Sequence, residues 1–209
     1  VPGGRVAALR EALAPHIRAN VLGTALTQLT MPGVPDVYQG TESEYLALVD
    51  PDNRRPVRFP PADTATGTEG ARMEGAGMKG AVTAAALRLR RRYPDAFGAA
   101  ATYQPLPAEG RAAAHLLAFA RSGRVVTAVT RLSLRLAEAG GWEDTQMALP
   151  PGRWVDAVDP GREFMGHVRV AELFERLPVA LLERLGRDPE QGHGRAAPPR
   201  GPVPTRGRA

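Results

Sequence analysis

Two short segments concentrate side chains that could do chemistry. In PGVPDVYQGTE (residues 32–42), an extended apolar stretch ends in Tyr38, Gln39, Thr41 and Glu42 around Gly40. Binding and catalytic groups collect at the C-terminal end of a strand in a parallel α/β sheet or barrel. The same residues also suit a structural role, with Tyr38 packed and Gln39 bonded to loop backbone. The second segment is LVDPDNRRPVRF (48–59), which sets Asp50, Asp52 and Asn53 beside Arg54 and Arg55. Carboxylates and guanidinium forks offer acceptors and donors at fixed geometry, suited to sugar hydroxyls. They also suit a loop that neutralises itself. Glu42, Glu44, Asp50 and Asp52 could supply an acid/base pair for glycoside chemistry, although any exposed loop offers several carboxylates.

Other chemistries find no support. The chain has no cysteine, which excludes a disulfide scaffold, a zinc-thiolate site and a thiol nucleophile. His16, His115, His167 and His193 show no metal-ligand spacing, and there is no GxSxG elbow, phosphate loop or GxGxxG fingerprint. No metal or cofactor is implied. Trp142 and Trp154 could stack on sugar rings, or fill the core of a small β domain.

The elements that must position these residues follow from hydrophobic spacing. Val6, Leu9, Leu13, Ile17, Val21 and Leu22 predict one or two helices over 4–30, with Pro15 breaking or kinking them. Residues 34–40 predict a short buried strand, and 41–77 are mostly loop. A second helix is predicted over 79–93, where Arg88, Arg90, Arg91 and Arg92 complement the negative helix end and Pro94 stops it. Beyond residue 100 the pattern changes to strands. HLLAFAR (115–121) and RVVTAVTRL (124–132) form a hairpin about Ser122-Gly123. Further strands are expected at 144–150, 153–158, 167–173 and 179–185. From Gly186 onward the chain has almost no apolar content and is expected to be disordered. The fold class is α+β: helix, strand and helix, then a small antiparallel β domain, then a tail.

Composition sets the bounds. The 209 residues allow one domain or two small ones. Of 27 basic residues all but Lys79 are arginine, a bias that accompanies abundant Ala, Gly and Pro and reads as composition. The net charge of +5 falls largely on residues 186–209, where five arginines meet only Asp188 and Glu190. A specific nucleic-acid partner is therefore not expected. No run of 18 apolar residues exists, and VPGGRVAALREALAP lacks a signal-peptide core. No membrane partner and a cytoplasmic location are the expectation.

The order TMPGVPDVYQGTE, LVDPDNRRPVRF, LRLRRRYPDAF resembles the C-terminal part of the malto-oligosyltrehalose synthases, which are (1→4)-α-D-glucan 1-α-D-glucosylmutases of the α-amylase superfamily. AAAHLLAFARSGRVVTAVTRL, WEDTQMALPPGRW and VAELFERLPVALLERL extend the likeness across residues 4–185. A PDxYQG strand end alone suggests only the superfamily; VDPDNRRPV directly downstream makes the signal specific. After Thr41-Glu42 the chain departs from the family's Trp-Asp-like pair, with Ser43-Glu44-Tyr45 instead.

The resemblance implies a (β/α)8 barrel followed by a β-rich domain. Residues 34–40 would be the eighth barrel strand and 79–93 the closing helix. Residues 1–97 would be the end of the barrel, 98–185 the β domain and 186–209 a disordered basic tail. It implies an enzyme that turns the reducing-end α-1,4 bond of a maltodextrin into an α,α-1,1 bond by a retaining mechanism on three carboxylates. Water must be kept from the cleaved glucose while it turns. Those carboxylates follow barrel strands four, five and seven, so none is carried over to this chain, which is expected to be inactive alone. Carried over instead is the substrate-binding side of the cleft: Tyr38, Gln39, Gly40 and Glu42, and Asp50, Asp52, Asn53, Arg54 and Arg55. Asp52 and Arg55 would meet sugar hydroxyls and Arg54 would brace the loop. A non-catalytic glucan-binding or structural β module is the alternative.

Overall fold

The computed structural model describes residues 2–41, Pro56 and 77–186. The expected loop over 42–76, except Pro56, and the expected tail beyond Gly186 lie outside the described residues.

Helix α1 (Pro2–Thr30) continues through Pro15, so the proline does not break it into two. Proline removes one intrahelical bond, but this half of the helix is solvent-exposed, so water can serve the freed carbonyl. Helix α2 (Gly77–Arg92) begins two residues earlier than expected and ends one residue sooner. A single turn, α3 (Pro94–Phe97), follows with proline at its start.

The rest of the described chain builds a seven-stranded antiparallel sheet, with short helical turns at Ala113–His115, Ser133–Glu138 and Val170–Leu173 in its connections. The strands are β1 (Tyr103–Pro105), β2 (Ala108–Glu109), β3 (Leu116–Arg121), β4 (Val125–Thr130), β5 (Gln146–Asp156), β6 (Glu163–Arg169) and β7 (Val179–Leu185). Their order is β1-β3-β4-β7-β5-β2, with β6 also on β5. The β3–β4 hairpin stands as expected. Ser122 and Gly123 both take positive φ (47° and 59°), and Arg124 N–H closes the turn on the Arg121 carbonyl at 2.9 Å. This mirror-image turn matches the right-handed twist of the strands.

The strands expected at 144–150 and 153–158 are one strand, β5. Its first part pairs with β2 and with residues 167–169 of β6, and its second part with β7 and residues 163–165 of β6. The register shifts between Ala148 and Arg153, where Leu149-Pro150-Pro151-Gly152 stand. Prolines cannot donate to a ladder, so the strand bulges there instead of ending. The indole of Trp154 spans the bulge, donating to the Pro150 carbonyl at 2.8 Å. Of the strand expected over 167–173, only residues 167–169 belong to β6, and the other four form a short helix, Val170–Leu173.

β4 and β7 lie mid-sheet and are covered on both faces. Val125, Val129, Val179 and Leu181 face one apolar cluster with Leu22, Leu26 and Leu29 of α1 and Val82, Ala86 and Leu89 of α2. Val126, Ala128, Ala180 and Leu182 face a second cluster with Met147, Trp154, Val168 and Leu173. This explains why both strands read as continuous apolar runs rather than as alternation. Each fully buried Leu or Val contributes about 1.5–3 kcal/mol.

Two buried carboxylates, Asp156 and Asp159, stand where β5 ends. Asp156 accepts the N–H groups of Val158 (2.8 Å) and Asp159 (3.3 Å). Burial outweighs these bonds and pushes its pKa up to about 6. The folded state therefore holds this proton more tightly than the unfolded chain, whose carboxyl titrates near 4. This contribution is complete below about pH 4 and is lost as pH rises through about 6, in total about 2–3 kcal/mol. Asp156→Asn keeps an oxygen acceptor and cannot ionise. The gap in melting temperature between variant and parent should move in the variant's favour from pH 4 to pH 7, as read by thermal denaturation across that range. A constant gap would contradict the assignment.

Candidate functional site

The segment expected to carry chemistry leaves the C-terminal end of α1. Residues 34–38 form no strand, and Val34 is 96% exposed. The expected buried strand is thus corrected: Pro32 and Pro35 have no amide to donate, and no described strand lies alongside to pair with. The chain then turns sharply. The Thr41 N–H and hydroxyl both donate to the Tyr38 carbonyl, at 3.0 and 2.6 Å. Gly40 sits third in this turn with φ of 81°, the requirement of a type II turn that a side chain resists.

Tyr38 and Gln39 project from the turn and are both exposed, while Gly40 is buried. Glu42, Asp50, Asp52, Asn53, Arg54 and Arg55 lie outside the described residues. Beneath the turn, Gln28, Leu29, Asp36, Thr41, Lys79 and Thr83 line a small pocket of about 40 Å³, room for a water or two. Gln28 donates to the Asp36 carbonyl at 2.7 Å, and Val37 packs on the helix-side core.

What holds this segment is a cluster that sequence reasoning missed. The carbonyls at a helix C-terminus have no intrahelical partner and carry the negative end of the dipole. At the end of α1, Met31 N–H takes the Thr27 carbonyl. Arg90 of α2 donates to the Leu29 carbonyl and, just beyond the helix, to that of Gly33, each at 3.1 Å. Arg121 of β3, almost fully buried, reaches the Thr30 carbonyl at 3.5 Å. Both guanidinium groups also lie over the Phe97 ring, at 4.7 and 5.6 Å from its centroid. Burial lowers the pKa of both arginines, and the charge of Arg90 adds to the effect at Arg121. An arginine nonetheless stays charged.

The run Arg90–Arg92 therefore divides its work. Arg90 caps a different helix from its own. Arg92 grips Glu183 of β7 with both carboxylate oxygens at 2.8 Å, and the Tyr93 hydroxyl donates to the same carboxylate at 2.5 Å. Burial and this bond raise the Tyr93 pKa. Arg88 and Arg91 are exposed. The one signal in the sequence was four arginines within five residues, more than a helix end needs.

The two tryptophans differ in burial. Trp154 is completely buried, and Trp142 is partly buried against Phe174, with ring centroids 5.4 Å apart. Among the described residues, no group of His, Cys, Asp and Glu could hold a metal ion, and no helix is long and apolar enough to cross a membrane.

The capping cluster generates a direct expectation. Arg90→Ala should lower stability by about 1–3 kcal/mol and speed amide exchange at Thr41 while the β4 and β7 amides stay protected. Arg90→Lys should restore only part, because an ammonium cannot fork across two carbonyls. Hydrogen exchange read residue by residue tests this; equal loosening of sheet and turn would refute the local role.

No protein-family model matches the chain. Proteins bearing the name maltooligosyl trehalose synthase in two strains of Mycobacterium tuberculosis are each 45% identical over 170 residues, which is 81% of this chain and 21% of theirs. The solved maltooligosyltrehalose synthase of Arthrobacter ramosus is 43% identical with a TM-score of 0.73, over 84% of this chain and 23% of its own. A hypothetical maltooligosyl trehalose synthase of Sulfolobus tokodaii is 27% identical with a TM-score of 0.59, over 79% and 20%. In sequence and in fold the chain is thus similar to a C-terminal portion of the maltooligosyltrehalose synthases, and it spans about a fifth of the length of the relatives it matches.

Proposed function

We propose that the chain serves as the C-terminal portion of a glucosylmutase that rearranges the reducing-end α-1,4 bond of a maltodextrin into an α,α-1,1 bond. The observation that carries this reading is identity of 43–45% to named synthases, maintained over four-fifths of the chain. In this reading residues 1–97 close a (β/α)8 barrel and 98–185 form a β domain that buttresses it, in a cytoplasmic enzyme. Tyr38, Gln39, Glu42, Asp50, Asp52, Asn53, Arg54 and Arg55 line the reducing-end side of the glucan site. Phenol, amide, carboxylate and guanidinium together supply the donors and acceptors that a terminal glucose needs to be held while it turns.

Geometry favours this division of labour. Tyr38 and Gln39 stand exposed on a turn braced by two cationic caps, a rigid mount for side chains that must contact a ligand. The chain itself contributes no member of the catalytic carboxylate set. Purified chain incubated with maltopentaose should therefore yield no maltooligosyl trehalose, assayed by product chromatography. Appearance of that product would overturn the assignment of the catalytic groups to the rest of the enzyme.

The alternative, a β module that binds glucan by itself, is disfavoured by the burial of Trp154. A structural module is favoured by apolar clusters filling both faces of the sheet. Tryptophan fluorescence should accordingly stay unchanged on titration with maltohexaose into the millimolar range. A saturable change would assign the sheet a sugar site of its own.

A further inference from the structure

Lys79 is the one lysine among 27 basic residues, and its place on α2 runs against the helix. Cations stabilise the C-terminal end of a helix and oppose its N-terminal end. Arg88, Arg90, Arg91 and Arg92 obey that rule at the end of α2. Lys79 instead stands third in the helix, whose first turn holds no acidic residue. Helix stability therefore does not account for it. A residue that breaks a local rule marks a place where another demand prevails.

The surroundings show what that demand is. Lys79 and Thr83, one turn apart on the same flank of α2, line the small pocket together with Gln28, Asp36 and Thr41. Thr83 is buried and Lys79 half-buried, so this is not a lysine spread in water for solubility. Thr41 is the residue that closes the Tyr38 turn, through both its N–H and its hydroxyl. The pocket holds about 40 Å³, whereas ligand sites begin at about 300 Å³. No sugar ring enters it, so Lys79 does not touch substrate there. Its size also accounts for the residue type. An ammonium is a compact point charge on a flexible stem, whereas a guanidinium is a broad plane. Only the former suits so small a space, in a chain that otherwise uses arginine.

We propose that Lys79 is a positioning residue for the glucan site. Its compact charge, brought to the Tyr38–Thr41 turn by the start of α2, holds that turn so that Tyr38 and Gln39 meet the terminal glucose in a fixed geometry. The proposal rests on the function proposed above and adds to it a residue that acts through the turn rather than on the sugar. When the glucose is held loosely, water takes its place at the cleaved bond. Maltopentaose and one water then give maltotetraose and glucose instead of the α,α-1,1 product. The balance between the two outcomes reads the positioning.

The test uses a chimaera in which this chain replaces the matching part of the Arthrobacter ramosus synthase, together with the chain alone. In the chimaera, Lys79→Met should raise the ratio of free glucose to maltooligosyl trehalose at least about threefold, with a melting temperature within about 3 °C of the parent. Lys79→Arg should recover less than half of the parental selectivity. Thr41→Val, which takes the hydroxyl from the Tyr38 carbonyl, should raise the ratio too, and combining it with Lys79→Met should add little to the larger single effect. In the chain alone, Lys79→Met should speed exchange of the Thr41 amide at least about threefold while the β4 and β7 amides keep the parental rate. Equal loss of both products, full rescue by arginine, multiplying effects in the double variant or an unchanged Thr41 amide would each overturn the proposal. Faster exchange at Thr41 beside a parental chimaera that makes no maltooligosyl trehalose leaves Lys79 bracing the turn and defeats the functional reading instead.

Discussion

The end of α1 is the point on which the described structure turns. A 29-residue helix brings the negative pole of its dipole and its unbonded carbonyls to the spot where the chain must leave for the Tyr38 turn. Two guanidinium groups, from α2 and β3, meet that pole, and Phe97 lies under both. One helix end, a second helix and the sheet are thereby tied at a single locus. Neither arginine has a carboxylate among its described partners, so the compensating negative charge is the helix itself. The arrangement binds backbone rather than side chains, which makes it tolerant of changes in the residues that the segment displays.

A second tie lies two residues further along the same end of α2. Glu183 on β7 accepts from one Arg92 guanidinium nitrogen on both its oxygens and from the Tyr93 hydroxyl. Charge-assisted bonds of this kind are about twice as strong as neutral ones, and Glu183 is mostly shielded from solvent. The C-terminal end of α2 is thereby fixed to α1 on one side and to the sheet on the other. The residues for display and the residues for support are thus separate sets: the first exposed on a turn, the second spent on carbonyls and one carboxylate.

Much of this architecture was legible in the chain. VALLERL and RVVTAVTRL are rich in β-branched and aliphatic residues without helical spacing, and they form central strands. Ser122-Gly123 marked its hairpin because few residue pairs accept two positive φ angles. The misreadings have physical causes. Local pattern assigned residues 34–40 to a strand, but a strand is a pairing, and no window of sequence contains the partner. Pro150 and Pro151 marked an interruption in β5, yet a bulge and a strand end look alike until the Trp154 indole is seen bridging the gap. The roles of Arg90 and Arg121 were hidden for a different reason. Their partners are carbonyls 61 and 91 residues away, and a carbonyl is the one acceptor that every residue carries. The motif that made the likeness specific is VDPDNRRPV, five residues of which were expected to meet substrate or brace its loop, and those five lie outside the described residues.

The interruption in β5 has a mechanical meaning. Residues 149–152 make no register pair with either neighbour, so the two ends of one strand keep independent alignments with the rest of the sheet. A slip of one residue would send every side chain to the opposite face, but residues 149–152 separate the two paired parts of β5. Variation around β2 and the outer part of β6 is therefore insulated from Trp154 and from the β7 strand that carries Glu183. The bulge works as an expansion joint between one end of the sheet and the end aligned beneath the helices.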